Sequence, residues 1–92
     1  MANDISGRPW VLDTATPGVP VFKSWTKIAH CEFANYAAQG NQVILRDMNG
    51  RVVWEAKGAG DLSNVKGFKV GWVQGLIPDT IEGGGLVLIY VE

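Results

Sequence analysis

His30 and Cys31 are the chain's one histidine and one cysteine, and they are adjacent. A thiol beside an imidazole can make a nucleophile and its base, but adjacent residues on a strand point to opposite faces, so this pair cannot act as a unit. A zinc site needs further ligands, and Asp or Glu alone would have to complete it. Asp47 with Glu55 and Asp79 with Glu82 are the carboxylate pairs nearest in sequence. The first falls on opposite faces of a predicted hairpin and the second in a Gly/Pro-rich connection, and neither placement holds two acids rigidly about a substrate. The glycine clusters fail as phosphate cradles. Gly58-Ala59-Gly60 runs into Asp61 without the Lys-Ser/Thr of a P-loop, and no helix follows to offer its N-terminus. Gly67, Gly71 and Gly75 have small-xxx-small spacing, but Lys66, Lys69 and Gln74 do not belong in a membrane helix. The sequence predicts no enzyme, no metal and no cofactor.

Four tryptophans offer a different chemistry, because exposed aromatic rings stack on sugars and anchor protein interfaces. Trp54 and Trp72 fall on predicted core faces. Trp10, in the N-terminal run, is the interface candidate, and the place of Trp25 depends on whether its segment is strand or helix.

The elements that must position these side chains are β-type. Residues 42–57, QVILRDMNGRVVWEAK, are two strand-like runs joined through Asn49-Gly50, a pair that tolerates the positive φ of a tight hairpin turn. A loop of even length puts Val43 and Leu45 on one face with Val52, Trp54 and Ala56. Ile44, Arg46, Arg51, Val53 and Glu55 then form a half-apolar, charge-balanced outer face suited to a protein neighbour.

Upstream, residues 1–20 read as an N-terminal arm and edge segment. Residues 1–7 are polar, the run Pro9 to Asp13 can pair on a sheet edge, and Pro17, Gly18 and Pro20 force an extended connection. The stretch Val21 to Tyr36 fits helical spacing with Ser24 as N-cap, or a strand with Trp25, Ala29, Cys31 and Phe33 on one side. The strand is preferred because everything downstream is β and a lone helix would need its own layer. Asn35 to Asn41 and Gly58 to Asn64 are loops.

Val65 to Leu76 is a strand with Phe68, Val70, Trp72 and Leu76 on a core face, and with Gly67, Gly71 and Gly75 on a partly bare face, glycines that mark a bulge, a bend or the close approach of another backbone such as an arm or a neighbouring subunit. Ile77 to Gly85 reads as a connection. The last run, LVLIYVE, is apolar on both parities and should be covered on both sides, with Leu86, Leu88 and Tyr90 available for sheet completion or subunit pairing. The expected fold is all-β: one domain over 21–92, a compact antiparallel β-sandwich or small jelly-roll-like barrel with an extended N-terminal arm.

Composition agrees with a binding role more readily than a catalytic one. Ninety-two residues, 47% of them hydrophobic, make one small domain that buries about 60–65% of its unfolded surface. A formal net charge of −1 without a block of either sign argues against nucleic-acid binding. A lone cysteine excludes an intrachain disulfide. The start MANDISGRPW does not read as a signal peptide, and the run from Leu86 to Val91 is too short for a membrane helix, so synthesis in the cytoplasm without export is expected.

The segments ISGRPWVLDT, RDMNGRVVWEA, GAGDLS, GWVQGLIPDTI and GGGLVLIYVE, which together cover most of the chain from Ile5 to Glu92, resemble a group of small tailed-phage virion proteins, most closely capsid cement or decoration proteins. The resemblance implies a structural protein on the capsid surface, assembled in the host cytoplasm. It binds the major capsid protein and pairs with itself as a dimer or trimer, with no part for nucleic acid or membrane. Trp10 and Val11 are then expected to dock the arm. The alternatives are a carbohydrate-binding adhesion module, which requires two aromatic rings on one exposed surface (Trp10 with Trp25 or Tyr36), and a tail or head–tail connector component.

Overall fold

The computed structural model describes residues 3–6, 9–67 and 70–92, and its elements are all strands. They are β1 (Trp10–Leu12), β2 (Phe22–Ala34), β3 (Gln42–Arg46), β4 (Val52–Lys57), β5 (Val65–Lys66), β6 (Gly71–Ile81) and β7 (Leu86–Val91). Every pairing is antiparallel, in the order β1-β7-β2-β6-β3-β4, with β5 also against β2. The sheet is open, so the barrel expectation gives way to a sandwich-like fold made by bending one sheet. Two long strands make the bend. β2 pairs with β6 over its first half and with β7 over its second, while β6 passes from β2 to β3 at Leu76 and Ile77. The inner faces of the two halves share one core, with Leu12, Ile28, Cys31, Phe33, Val87 and Ile89 from one and Val43, Leu45 and Leu76 from the other.

The preferred strand reading of Val21 to Tyr36 is what forms, but its alternation is broken. Ile28 pairs with Val91 and His30 with Tyr90, which leaves Ala29 as an extra residue. A β-bulge of this kind re-aims every side chain on one side of it. The inner positions therefore run Thr26, Ile28 and then Cys31, Phe33. Trp25, which a uniform strand would place with Cys31, stands outside.

β5 and β6 both pair with β2, Lys66 with Glu32 and Gly71 with Ile28. Phe68 and Lys69 lie outside the described residues. The inner positions of β6 then go from Val73 to Leu76, three apart, because the chain shifts at Gly75 with φ of 76°. This inverts the expected parity. Trp72 faces solvent, 66% exposed, in place of the core. β6 also continues through Pro78 to Ile81, and the connection expected over Ile77 to Gly85 shrinks to residues 82–85. Pro78 is tolerated because the register against β3 slips there, Ile44 pairing with Thr80 and Leu45 with Pro78.

The β3–β4 hairpin reaches the expected core face by an unexpected route. Asp47 N donates to Arg51 O at 2.9 Å and Gly50 carries φ of 81°, so the loop is Met48 to Gly50, odd where an even length was expected. Alone, that loop would turn Trp54 outward. Opposite Leu45 and Arg46, however, stand Trp54 and Val52, and the extra Val53 between them cancels the slip. Trp54 and Ala56 thus share the face of Val43 and Leu45, as expected. Val52 and Val53 are exchanged: Val52 is exposed and Val53 packs against the core.

The described N-terminal residues lie on the body. β1 pairs with β7, Trp10 and Leu12 are buried, and Asp4 and Val11 exchange backbone hydrogen bonds of 2.8 Å on the far side of β1. The Asn3 carboxamide ties down Asp13 and Thr14. Thr16 N and Val21 N donate to Pro78 O and Leu76 O. Of the expected arm and edge segment, the described residues realise the edge segment.

Candidate functional site: an exposed aromatic sheet face

The bulge in β2 and the inversion in β6 act on adjacent strands, and together they set two indoles on one surface. Thr26 and Val73 pair and are both buried, so their neighbours Trp25, Lys27, Trp72 and Gln74 share the opposite face. Trp25 stands across from Gln74 and Trp72 across from Lys27. The two tryptophans are therefore diagonal cross-strand neighbours, a relation that sets residues about 7–8 Å apart, with Cβ atoms somewhat closer. Trp25 is 62% exposed, close to Trp72. Lys27, across from Trp72, forms an ion pair with Glu92 at 3.7 Å. Met48, also exposed, lies against Gly75, and its amide donates to Gln74 O at 3.0 Å.

The same outer face continues along β2 and β7. His30 and Tyr90 pair and stack, with centroids 4.3 Å apart at 16°. Glu32 and Lys66 form an ion pair of 3.9 Å. Leu88 pairs with both Glu32 and Val11. The expected interface residues Val11, Leu86, Leu88 and Tyr90 are thus brought to one half-buried surface. Sheet completion by β7, however, is already met inside the chain, since β1 and β2 occupy its two edges.

The other expected interface residues separate. Trp10 is a core residue, packed on Phe22 with centroids 5.0 Å apart, and cannot dock an arm. Val53 is inside, as above. Ile44 is half-buried on the outer side of the hairpin. Arg46 contacts Asp79 at 3.3 Å and donates to Gly50 O at 3.1 Å, and exposed Arg51 uses its amide on Asp47 Oδ1. The bare glycine face is largely filled by the chain itself. A Cβ at Gly67 would strike the Trp54 indole and one at Gly75 the Met48 side chain, while Gly71 has open space.

Among the described residues, reactive groups do not converge. Cys31 is buried and its thiol is pushed up to about 12 by desolvation, so it stays protonated and inert at neutral pH. Asp79, expected in a loop, sits in β6 against Arg46, and Glu82 accepts from Gln42 N at 2.7 Å. Among the described residues no three His, Cys, Asp or Glu side chains gather as a metal site. Tyr36 is buried and stacked on Phe33, so it offers no ring to a ligand. Its hydroxyl donates to Ser63 O and accepts from Ala59 N at 2.8 Å, which clamps the loop after β4. Within that loop Asp61 accepts from the Ser63 hydroxyl and amide, and these bonds hold its carboxyl below the usual value.

Sequence reasoning missed Trp72 as a surface residue. The available signal is Gln74, which shares its alternation and would have been buried with it. No family model matches the chain, and neither a curated protein nor a solved structure matches it.

Proposed function

We propose that this is a non-enzymatic structural protein that attaches to the outer surface of a tailed-phage capsid and reinforces contacts between major capsid subunits. The observation that carries a binding role is the pair Trp25 and Trp72, both more than 60% exposed on one sheet face. Exposed indoles cost solvation and have no folding role, whereas buried at an interface each is the type of residue that contributes about 2 kcal/mol or more. Lys27 beside Trp72 is matched by Glu92, and the chain as a whole carries a net charge of −1, which does not favour a phosphate backbone. The partner comes from the resemblance to virion cement proteins. Many identical copies on one shell multiply a modest contact energy, which suits a small body with one aromatic face. Mass spectrometry and electron cryomicroscopy of purified particles test this. The expected result is many copies on the outer shell at subunit junctions, with the β2–β6 face against the capsid. Absence from particles, or a ring confined to the tail, overturns it.

The same observation favours a second reading, a glycan-binding module displayed on a virion. Two rings on one face, with Gln74 across from Trp25 and the Lys27–Glu92 ion pair across from Trp72, provide stacking surfaces for sugar C–H faces and partners for hydroxyl groups. The ring pair is not the one expected, since Trp10 and Tyr36 are buried. Glycan-array binding that disappears in Trp72→Ala supports this reading, and an array without signal removes it.

A further inference from the structure

The two ends of the sheet are finished differently. Beyond β1 lies Asp4, bonded to Val11, whereas β4 ends the order and no strand lies beyond it among the described residues. Which of its backbone groups point outward follows from the ladder. Gly58 N donates to Asn41 O at 2.7 Å, continuing the register in which Lys57 opposes Gln42 and Ala56 opposes Val43. In an antiparallel ladder, residues facing the partner alternate with residues facing away. Trp54, Ala56 and Gly58 therefore direct their N–H and C=O toward β3. Glu55 and Lys57 direct theirs out of the sheet.

We infer that β4 pairs with β4 of a second copy of this chain, antiparallel about a two-fold axis at Ala56, so that the sheet continues across the dimer. The hydrogen-bonding phase leaves three registers in which Glu55 and Lys57 are used. One sets Glu55 against Glu55 and one sets Lys57 against Lys57, and like charges directly opposite are destabilising. The third sets each Glu55 against Lys57 of the other copy. It forms two hydrogen-bonded pairs with an ion pair on each and places Ala56 on the axis, where the non-bonded pair brings Cα atoms to about 4.5 Å and suits a methyl side chain. The next pair sets Trp54 against Gly58, a position that in each copy lies under its own Tyr36 ring. The one register that charge allows is therefore also the one that puts a small residue on the axis. A shallow hollow lined by Gln42, Glu55, Ala56 and Lys57 lies at this same stretch. The bulge at Val53 ends the ladder on one side, and the use of Ala59 N by Tyr36 ends it on the other, which confines pairing to this patch. An isologous contact of this kind closes at two copies.

Sedimentation equilibrium of the intact chain, with charge-swapped variants, tests this. The wild type is expected to dimerise, Glu55→Lys and Lys57→Glu each to weaken the dimer by about tenfold or more, and the double swap Glu55→Lys/Lys57→Glu to restore it. Both positions are exposed, so the variants should fold. In the wild type, the amides of Glu55 and Lys57 are expected to gain protection from hydrogen exchange as concentration rises, while the amide of Ala56 is protected throughout. A chain monomeric at about millimolar concentration overturns the inference, as does a dimer indifferent to the single swaps or not restored by the double swap.

Discussion

Trp10 and Trp72 are both strand residues in short apolar runs, yet one is closed into the core and the other is 66% exposed. Trp10 sits in a regular ladder, where Trp10 pairs with Ile89 and Leu12 with Val87, so alternation alone takes it inside. Trp72 and Trp25 sit between irregularities, the extra Ala29 on β2 and the shift at Gly75 on β6. Regular pairing builds the core of this protein, and bulges decide what the surface presents. A bulged strand costs ladder hydrogen bonds, and in return it moves an aromatic ring from one face to the other.

Substitutions sharpen that contrast. Trp10→Ala should lower stability by about 3–5 kcal/mol, since a large buried ring is removed. Trp25→Ala and Trp72→Ala should each change it by no more than about 0.5 kcal/mol. Denaturant titration of the three variants measures both, and a Trp72→Ala loss as large as that of Trp10→Ala breaks the distinction. Gly67→Ala comes next, because the added methyl meets the Trp54 indole and forces repacking that should cost about 1–3 kcal/mol. Tyr36→Phe removes the hydroxyl that bridges Ser63 O and Ala59 N, for about 1–2 kcal/mol, with faster hydrogen exchange of the Ala59 amide as a local readout.

The last effect is one of pH, and it is confined to the alkaline range. Cys31 holds its proton to about 12 when folded, while an unfolded thiol releases it near 8.5. Between those values the native state binds more protons, so stability falls as pH rises, by about 1.4 kcal/mol per unit from this group. Comparing the slope of stability against pH for the wild type and Cys31→Ala isolates that contribution. Equal slopes contradict the burial argument.

Much of the fold was legible because its signals are local. Asn49-Gly50 marks the hairpin, the doubly apolar LVLIYV run becomes an interior strand with neighbours on both edges, and the Gly58 to Asn64 loop follows from its turn residues. The bulges at Ala29 and Val53 were not legible, since one extra residue leaves no mark in composition and is fixed by the partner strand's register, whereas the shift in β6 falls at one of the strand glycines that mark such features. That is why the hairpin core face came out as expected although both the loop length and the places of Val52 and Val53 differed. It is also why Trp72 was expected inside, whereas Trp10, in a regular ladder, was expected at an interface only because its run was read with the arm. For Trp25 the polar surroundings Lys23, Ser24, Thr26 and Lys27 pointed outward, but the preferred alternation ran through Cys31 and Phe33.

The central claim is that the outer face carrying Trp25 and Trp72 is the binding surface. Its most direct test is reattachment of Trp25→Ala/Trp72→Ala to tailed-phage capsids lacking the protein, read as copies bound per particle against concentration. Loss of two anchoring indoles should weaken attachment by about a hundredfold or more, with the thermal unfolding midpoint unchanged. Wild-type occupancy by the double variant would contradict the account.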